Sequence, residues 1–180
     1  MRVVTGTARG RRLESPQRND IRPTPDRIKE AVFSIIQFDI EGRKFLDLFA
    51  GSGQMGIEAL SRGAATAVFT DALGSAVDII KRNLVATGLM EKSRVARTDY
   101  QSFLSHTSDI FDITYLDPPY HEEMLEDALM RTAKVMNDCG IIICEHPHTL
   151  KICERAGDFE LSKQYRYGIT AISVFKKPIS

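Results

Sequence analysis

A chain of 180 residues with 43% hydrophobic and 27% charged side chains has an ordinary globular composition, and its length suits one core that buries about two-thirds of the unfolded surface. No stretch approaches the roughly 20 unbroken apolar residues of a membrane span, and Met1-Arg2-Val3-Val4-Thr5-Gly6 is no secretory leader, so the cytoplasm is expected. The formal net charge is zero, which argues against nucleic-acid binding by overall charge, but residues 1–30 hold eight basic side chains against four acidic ones. Such a basic arm suits a phosphate backbone meeting one edge of the molecule, and equally a solvated charged segment.

In chain order, Val3-Val4 and Arg11-Arg12-Leu13 flank Gly6 and Gly10, which predicts two short strands projecting ahead of the main domain. Thr24 reads as a helix N-cap with Pro25 at the first helical position, and Ile28, Ala31, Val32, Ile35 and Ile36 fall on one helical face. From residue 45 short apolar runs at 45–48, 67–70, 94–96, 113–116 and 141–144 alternate with helical segments near 54–62, 75–87 and 122–135. That pattern predicts a parallel sheet with helices on both faces. Strand-like stretches at 163–167 and 170–175, separated by Gly168-Ile169, predict a terminal antiparallel hairpin. One domain over 1–180 is expected, with an extension at 1–40 and an α/β core at 41–180. Cys139, Cys144 and Cys153 form no C-x-x-C pair and read as buried reduced thiols, so no metal is assigned.

Chemistry concentrates in two places. Asp47-Leu48-Phe49-Ala50-Gly51-Ser52-Gly53-Gln54-Met55-Gly56 is an acidic strand end followed by a glycine turn into a helix, at the edge where open sheets bind ligands. The spacing Gly51-x-Gly53-x-x-Gly56, with Asp71 ending the next strand, also fits a dinucleotide site or a merely structural turn. Asp47 favours a cationic amino-acid ligand over a pyrophosphate, because carboxylate and phosphate repel; S-adenosylmethionine carries both a sulfonium and an ammonium. Asp71 would then accept the ribose hydroxyls and Asp99, ending the third strand, the adenine amino group, although either acid alone reads as well as a turn former or helix cap.

The second place is Asp117-Pro118-Pro119-Tyr120, directly after an apolar strand. Two prolines fix the turn and withhold N–H donors, so the Asp117 carboxylate and Pro118 carbonyl can both accept from one amino group. Such acceptors favour the pyramidal, nucleophilic form of an aromatic amine. Tyr120 offers a face on which a base can stack.

With Arg9-Gly10-Arg11, Arg22-Pro23-Thr24, Asp26-Arg27, the run from Phe45 through Gly53 and on to Ala64, and Asp117-Pro118-Pro119-Tyr120, the chain resembles the RsmD family of bacterial small-subunit ribosomal RNA guanine-N2 methyltransferases. The resemblance implies a class I, Rossmann-like S-adenosylmethionine-dependent fold of seven mostly parallel strands, the last antiparallel. It implies a donor site at Asp47, Phe49, Gly51, Ser52, Gly53, Asp71, Asp99 and Tyr100, and catalysis by Asp117, Pro118 and Tyr120. RNA contacts are expected at Arg9, Arg11, Arg12, Arg22, Thr24 and Arg27, with ribosomal RNA of the small subunit as partner and a monomer as the working state. Leu73 stands where the family often has a second polar residue near the ribose-binding acid, and Gln54-Met55 is also unusual there. DNA adenine-N6 and glutamine methyltransferases share the Pro-Pro-Tyr chemistry, and a noncatalytic RNA-binding module could share the fold. The compact length argues against the first and the intact motifs against the last.

Overall fold

The computed structural model describes residues 1–16, 24–119 and 122–179; Arg22 and Tyr120 lie outside these. Five helices, α1 (Asp26–Ile35), α2 (Gln54–Ser61), α3 (Gly74–Thr87), α4 (Tyr100–His106) and α5 (Glu122–Thr132), cover a sheet of eight strands. The strands are β1 (Lys44–Asp47), β2 (Thr66–Asp71), β3 (Ser93–Arg97), β4 (Phe111–Leu116), β5 (Met136–Pro147), β6 (Arg155–Ala156), β7 (Phe159–Tyr167) and β8 (Thr170–Lys176), in the order β3-β2-β1-β4-β5-β8-β7-β6. β1 to β5 are parallel, while β8 runs antiparallel between β5 and β7. This is the expected seven-stranded sheet with an antiparallel last strand, plus the two-residue edge strand β6. The helix α4 is an addition to the expected set; at seven residues it is too short to display a helical period.

Alternation along the central strands divides the core in two. Phe45, Ile113, Tyr115, Ile141 and Ile143 pack with α1, α2 and α3, whereas Leu46, Leu116, Ile142 and Cys144 pack with α4 and α5. Every odd-numbered residue on β4 and β5 near their carboxyl ends therefore faces the α1 side. Cys144 is buried as expected, but Cys139 is exposed and Cys153 only partly buried.

The first sixteen residues depart most from expectation. They contain one isolated bridge, Arg2 to Arg12, in place of two strands, and the segment is docked on α2 instead of projecting. The fully buried Glu58 of α2 accepts the backbone N–H groups of Val4 and Thr5 (2.9 Å each), and the Thr7 N–H donates to the Ser61 carbonyl. Val3, Ala8 and Leu13 join the core. The buried Lys29 of α1 donates to the Arg2 carbonyl (2.7 Å) and stands 3.9 Å from Glu58. Burial pulls its ammonium below the ordinary value while Glu58 pulls the other way. At Gly6, with φ +92°, a Cβ would lie 1.8 Å from the Ser61 carbonyl oxygen, so only glycine permits this approach.

Candidate active site at the carboxyl edge of the sheet

β1, β2 and β4 all end in or just before an aspartate, and because these strands are parallel the three acids share one edge. Asp47 is 1% exposed, and one of its oxygens accepts the Gly56 N–H (3.0 Å) from the first turn of α2. Desolvation, only partly offset by that bond, pushes its pKa up to about 7. The loop between them turns on Gly51 (φ +56°) and Gly53 (φ +79°). Above Gly51 a Cβ would meet nothing within 4 Å, so the loop backbone is open there to a ligand. At Gly56 the case is opposite: a Cβ would fall 2.3 Å from the Phe69 ring, and the missing side chain lets α2 lie on β2. Ser52 is buried beside Met1, and its carbonyl accepts from Asn83 of α3. The side-chain oxygen of Gln54, buried at the start of α2, has no partner among the described residues.

Asp71 accepts the Gly51 N–H (3.0 Å) on one oxygen and the Leu73 N–H (2.9 Å) on the other. The departure at Leu73 thus contributes a backbone donor that any side chain would allow. Asp99 corrects the expectation of a strand-end acid: β3 stops at Arg97, and Asp99 is the N-cap of α4, accepting from the backbone N–H and hydroxyl of Ser102 (2.8 Å each). These bonds hold its carboxyl below the ordinary value. Each oxygen of Asp71 and Asp99 keeps a free lone-pair direction, so neither assignment is closed off. Tyr100 packs its ring against Phe49 (centroids 5.4 Å apart) and donates its hydroxyl to Asp127.

Asp117 follows β4, with Pro118 and the exposed Pro119 after it. Its surroundings hold residues that the motif did not reveal. Leu116 pairs with Cys144 at the end of β4, so Asp117 and Glu145 are the next residues beyond that pair, and the charge of Glu145 reaches Asp117. Tyr115, 2% exposed, donates a short hydrogen bond from its hydroxyl to Glu145. Thr24, 8% exposed, is buried at the entry to α1. This corrects its reading as a helix cap: Pro25 occupies the cap position, α1 begins at Asp26, and the cap makes no side-chain bond. Burial raises Asp117 well above the carboxylate range, with the charges of Glu145 and then Asp47 adding to the effect; burial also raises Glu145. Glu145 follows the apolar run 141–144 as Asp117 follows 113–116, and that repeated offset was its only trace in the sequence.

The basic residues divide by position. Arg9 and Arg11 lie where the first segment meets the far end of α2, roughly 10 Å from the glycine loop by helix rise. Arg27 lies at the catalytic edge, beside Gly168 of the β7–β8 turn, where Arg166 also donates to the Gly168 carbonyl and approaches His148. No cluster of three or more acids, histidines or cysteines suited to a metal occurs among the described residues, and none of their helices is long and apolar enough to cross a membrane.

Known proteins share this arrangement. The chain is 35% identical over 182 residues to YlbH, a candidate rRNA methyltransferase of Bacillus subtilis, covering 98% of this chain and 99% of that one. It is 36% identical over 129 residues to ribosomal RNA small subunit methyltransferase D of Escherichia coli, covering 72% of this chain and 65% of that one. Among solved structures, YhhF of Escherichia coli, a candidate methyltransferase, superposes with a TM-score of 0.89 at 27% identity, over 100% of this chain and 99% of that one. The Haemophilus influenzae methylase candidate HI0767 gives 0.82 at 26%, over 99% of each. Residues 1–176 match the family described as conserved hypothetical protein 95, and the chain accordingly belongs to that family, the RsmD methyltransferases.

Proposed function

We propose that this chain methylates the exocyclic N2 amino group of a guanine in small-subunit ribosomal RNA, with S-adenosylmethionine as donor. The observation that carries the reading is the Asp117-Pro118 acceptor pair standing on the same sheet edge as the Asp47 glycine loop. The relatives' names support ribosomal RNA as the substrate class.

The residues present fit the donor. Among the described residues Asp47 is a buried carboxylate with no cation beside it and Gln54 holds an unpartnered acceptor, and the loop is open above Gly51. An ammonium and a sulfonium supply the missing positive charge, whereas a pyrophosphate would worsen the deficit. Phe49, Gly51, Ser52, Gly53, Asp71, Asp99 and Tyr100 complete this site. When bound, S-adenosylmethionine supplies an electrophilic methyl group. The chain's part is to place the nucleophile: Asp117 and the Pro118 carbonyl accept the two amino N–H groups and aim the lone pair, with Tyr120 stacking the base withdrawn from its helix. Such positioning contributes up to about 7–11 kcal/mol relative to reactants free in water. Arg9, Arg11, Arg12, Arg22 and Arg27 meet the RNA, in a single-domain, monomeric, cytoplasmic enzyme, whereas Thr24, 8% exposed, is too buried to share that contact.

Incubation with labelled donor and small ribosomal subunits lacking the modification, followed by nucleoside analysis, tests this. N2-methylguanosine is expected. N6-methyladenine on DNA or methylglutamine on protein would overturn the substrate, and transfer to nothing would favour a binding module.

A further inference from the structure

Glu145 is a half-buried acid that the donor site does not use, and its position is set by the strands on either side of it. The β4–β5 pairing ends at Leu116 with Cys144, so Asp117 and Glu145 are the next residues along neighbouring chain segments that run about 4.8 Å apart in the sheet. Tyr115, two residues before Asp117 and in the core on the α1 side, gives its hydroxyl hydrogen to Glu145. On β8 the partner of Glu145 is the apolar Ile172. No lysine or arginine forms an ion pair with Asp117 or Glu145 among the described residues: Lys29, the buried cation of α1, is turned to Glu58 and Asp26. Two carboxylates are thus assembled side by side where a lone structural acid would have been given a cation or backbone donors.

We infer that Glu145 is a positioning residue of the methyl transfer, which Tyr115 fixes beside Asp117 so that its charge makes Asp117 the stronger proton acceptor. The inference rests on the reading of Asp117 as the amino-group acceptor. In the reaction the nitrogen–carbon bond forms as the sulfur–carbon bond breaks, and the electron pair of that bond stays on sulfur. The methylated nitrogen, now cationic, gives one hydrogen to Asp117. A neighbouring negative charge raises the proton affinity of that acceptor, in the manner of any closely spaced acid pair. The upward displacement of Asp117 by burial and by Glu145 agrees with this arrangement.

Among the described residues the groups that bear on the pair are Asp47 from β1 and Tyr115 from β4; Tyr165 and Tyr167 of β7 pack on the same core, and at the start of α1 Lys29 is tied to Asp26 and Glu58, with Glu58 tied to Arg62 as well. His146, beside Glu145 in the chain, turns to the opposite face and meets Ser173. Among the described residues Asp47 is the further acid whose charge reaches Asp117, and its contribution is common to wild type and variants.

The test is Glu145→Gln, which keeps the shape and still accepts from Tyr115, compared with wild type in single-turnover methyl transfer to small subunits from pH 5 to 9. We expect a rate at pH 7.5 lowered about tenfold, and an acidic limb moved down by about one unit. Tyr115→Phe, which removes the bond that favours the charged form of Glu145, should move the limb the same way by less. Carboxyl ¹³C titration of the donor-free protein reads the pair directly: two separated steps in wild type, a single lower one for Asp117 in Glu145→Gln. Equal limbs in all three proteins, or an Asp117 titration unchanged in Glu145→Gln, would overturn the inference while leaving Asp117 in place. Asp117→Ala at the wild-type rate would instead overturn the reading beneath it. Should Glu145→Gln fold poorly, Tyr115→Phe and the wild-type titration decide: one step in wild type sinks the pair.

Discussion

The two halves of the catalytic edge treat their acids in opposite ways. Around the glycine loop, Asp71 and Asp99 have both oxygens engaged by local donors, from Gly51 and Leu73 and from Ser102. Across β4 and β5, Asp117 and Glu145 stand next to each other, with Tyr115 supplying a single bond to the pair. Local donors build a rigid socket whose electrostatics are settled before any ligand arrives. The acid pair is left unsettled, a cost that makes sense where a proton must be accepted. Asp47 lies between these extremes, with one donor and a raised pKa.

The sharpest attempt to break the comparison is Asp117→Ala. Single-turnover transfer should fall at least about a thousandfold while donor affinity, measured by calorimetry, moves no more than about threefold; a parallel loss of both would place Asp117 in the donor socket. Gly56→Ala attacks the socket's packing. Its Cβ meets the Phe69 ring, so urea unfolding should show a loss of about 1–3 kcal/mol, and no loss would mean α2 lifts freely from β2.

Asp47→Asn tests the intermediate case. The folded pKa near 7 exceeds the ordinary 3.8, so the folded protein holds the extra proton between these values. Stability from this group therefore falls as pH rises through that window and is flat above it. Donor binding should run the other way, since a cation prefers the ionised acid: affinity about three- to tenfold tighter at pH 8 than at pH 6, with Asp47→Asn flattening the trend. The smallest effect is expected from Arg11→Ala with Arg12→Ala, a weaker RNA affinity and a slope against salt reduced by about one to two; an unchanged slope would remove these arginines from the phosphate contacts.

What could be read from the sequence was what the chain writes contiguously. Asp47, Gly51, Gly53 and Gly56 fall within ten residues, and Asp117 sits in a proline turn whose geometry is local. Glu145 and Tyr115 looked like the tail of one apolar run and the middle of another, because their meaning arises only when β4 and β5 pair. Thr24 before Pro25 had the right local chemistry for a cap, yet the fold buries it and puts Pro25 at the cap position. Asp99 followed local chemistry faithfully and became a cap. The docking of the first segment was hidden for the same reason as Glu145: Glu58 and Lys29 read as surface charges until the fold buries them together.

That docking also sets a schedule. Val4 and Thr5 bond to a residue 54 and 53 positions later, and Glu14 to Asn83, 69 positions later. At translation rates of about 5–20 residues per second, the opening segment waits roughly 3–10 seconds after its own synthesis for the first of these partners. During that time Val3, Ala8 and Leu13 are apolar groups without a home, flanked by arginines at positions 2, 9, 11 and 12. The charges that surround this stretch thus keep a nascent chain soluble until α2 is made.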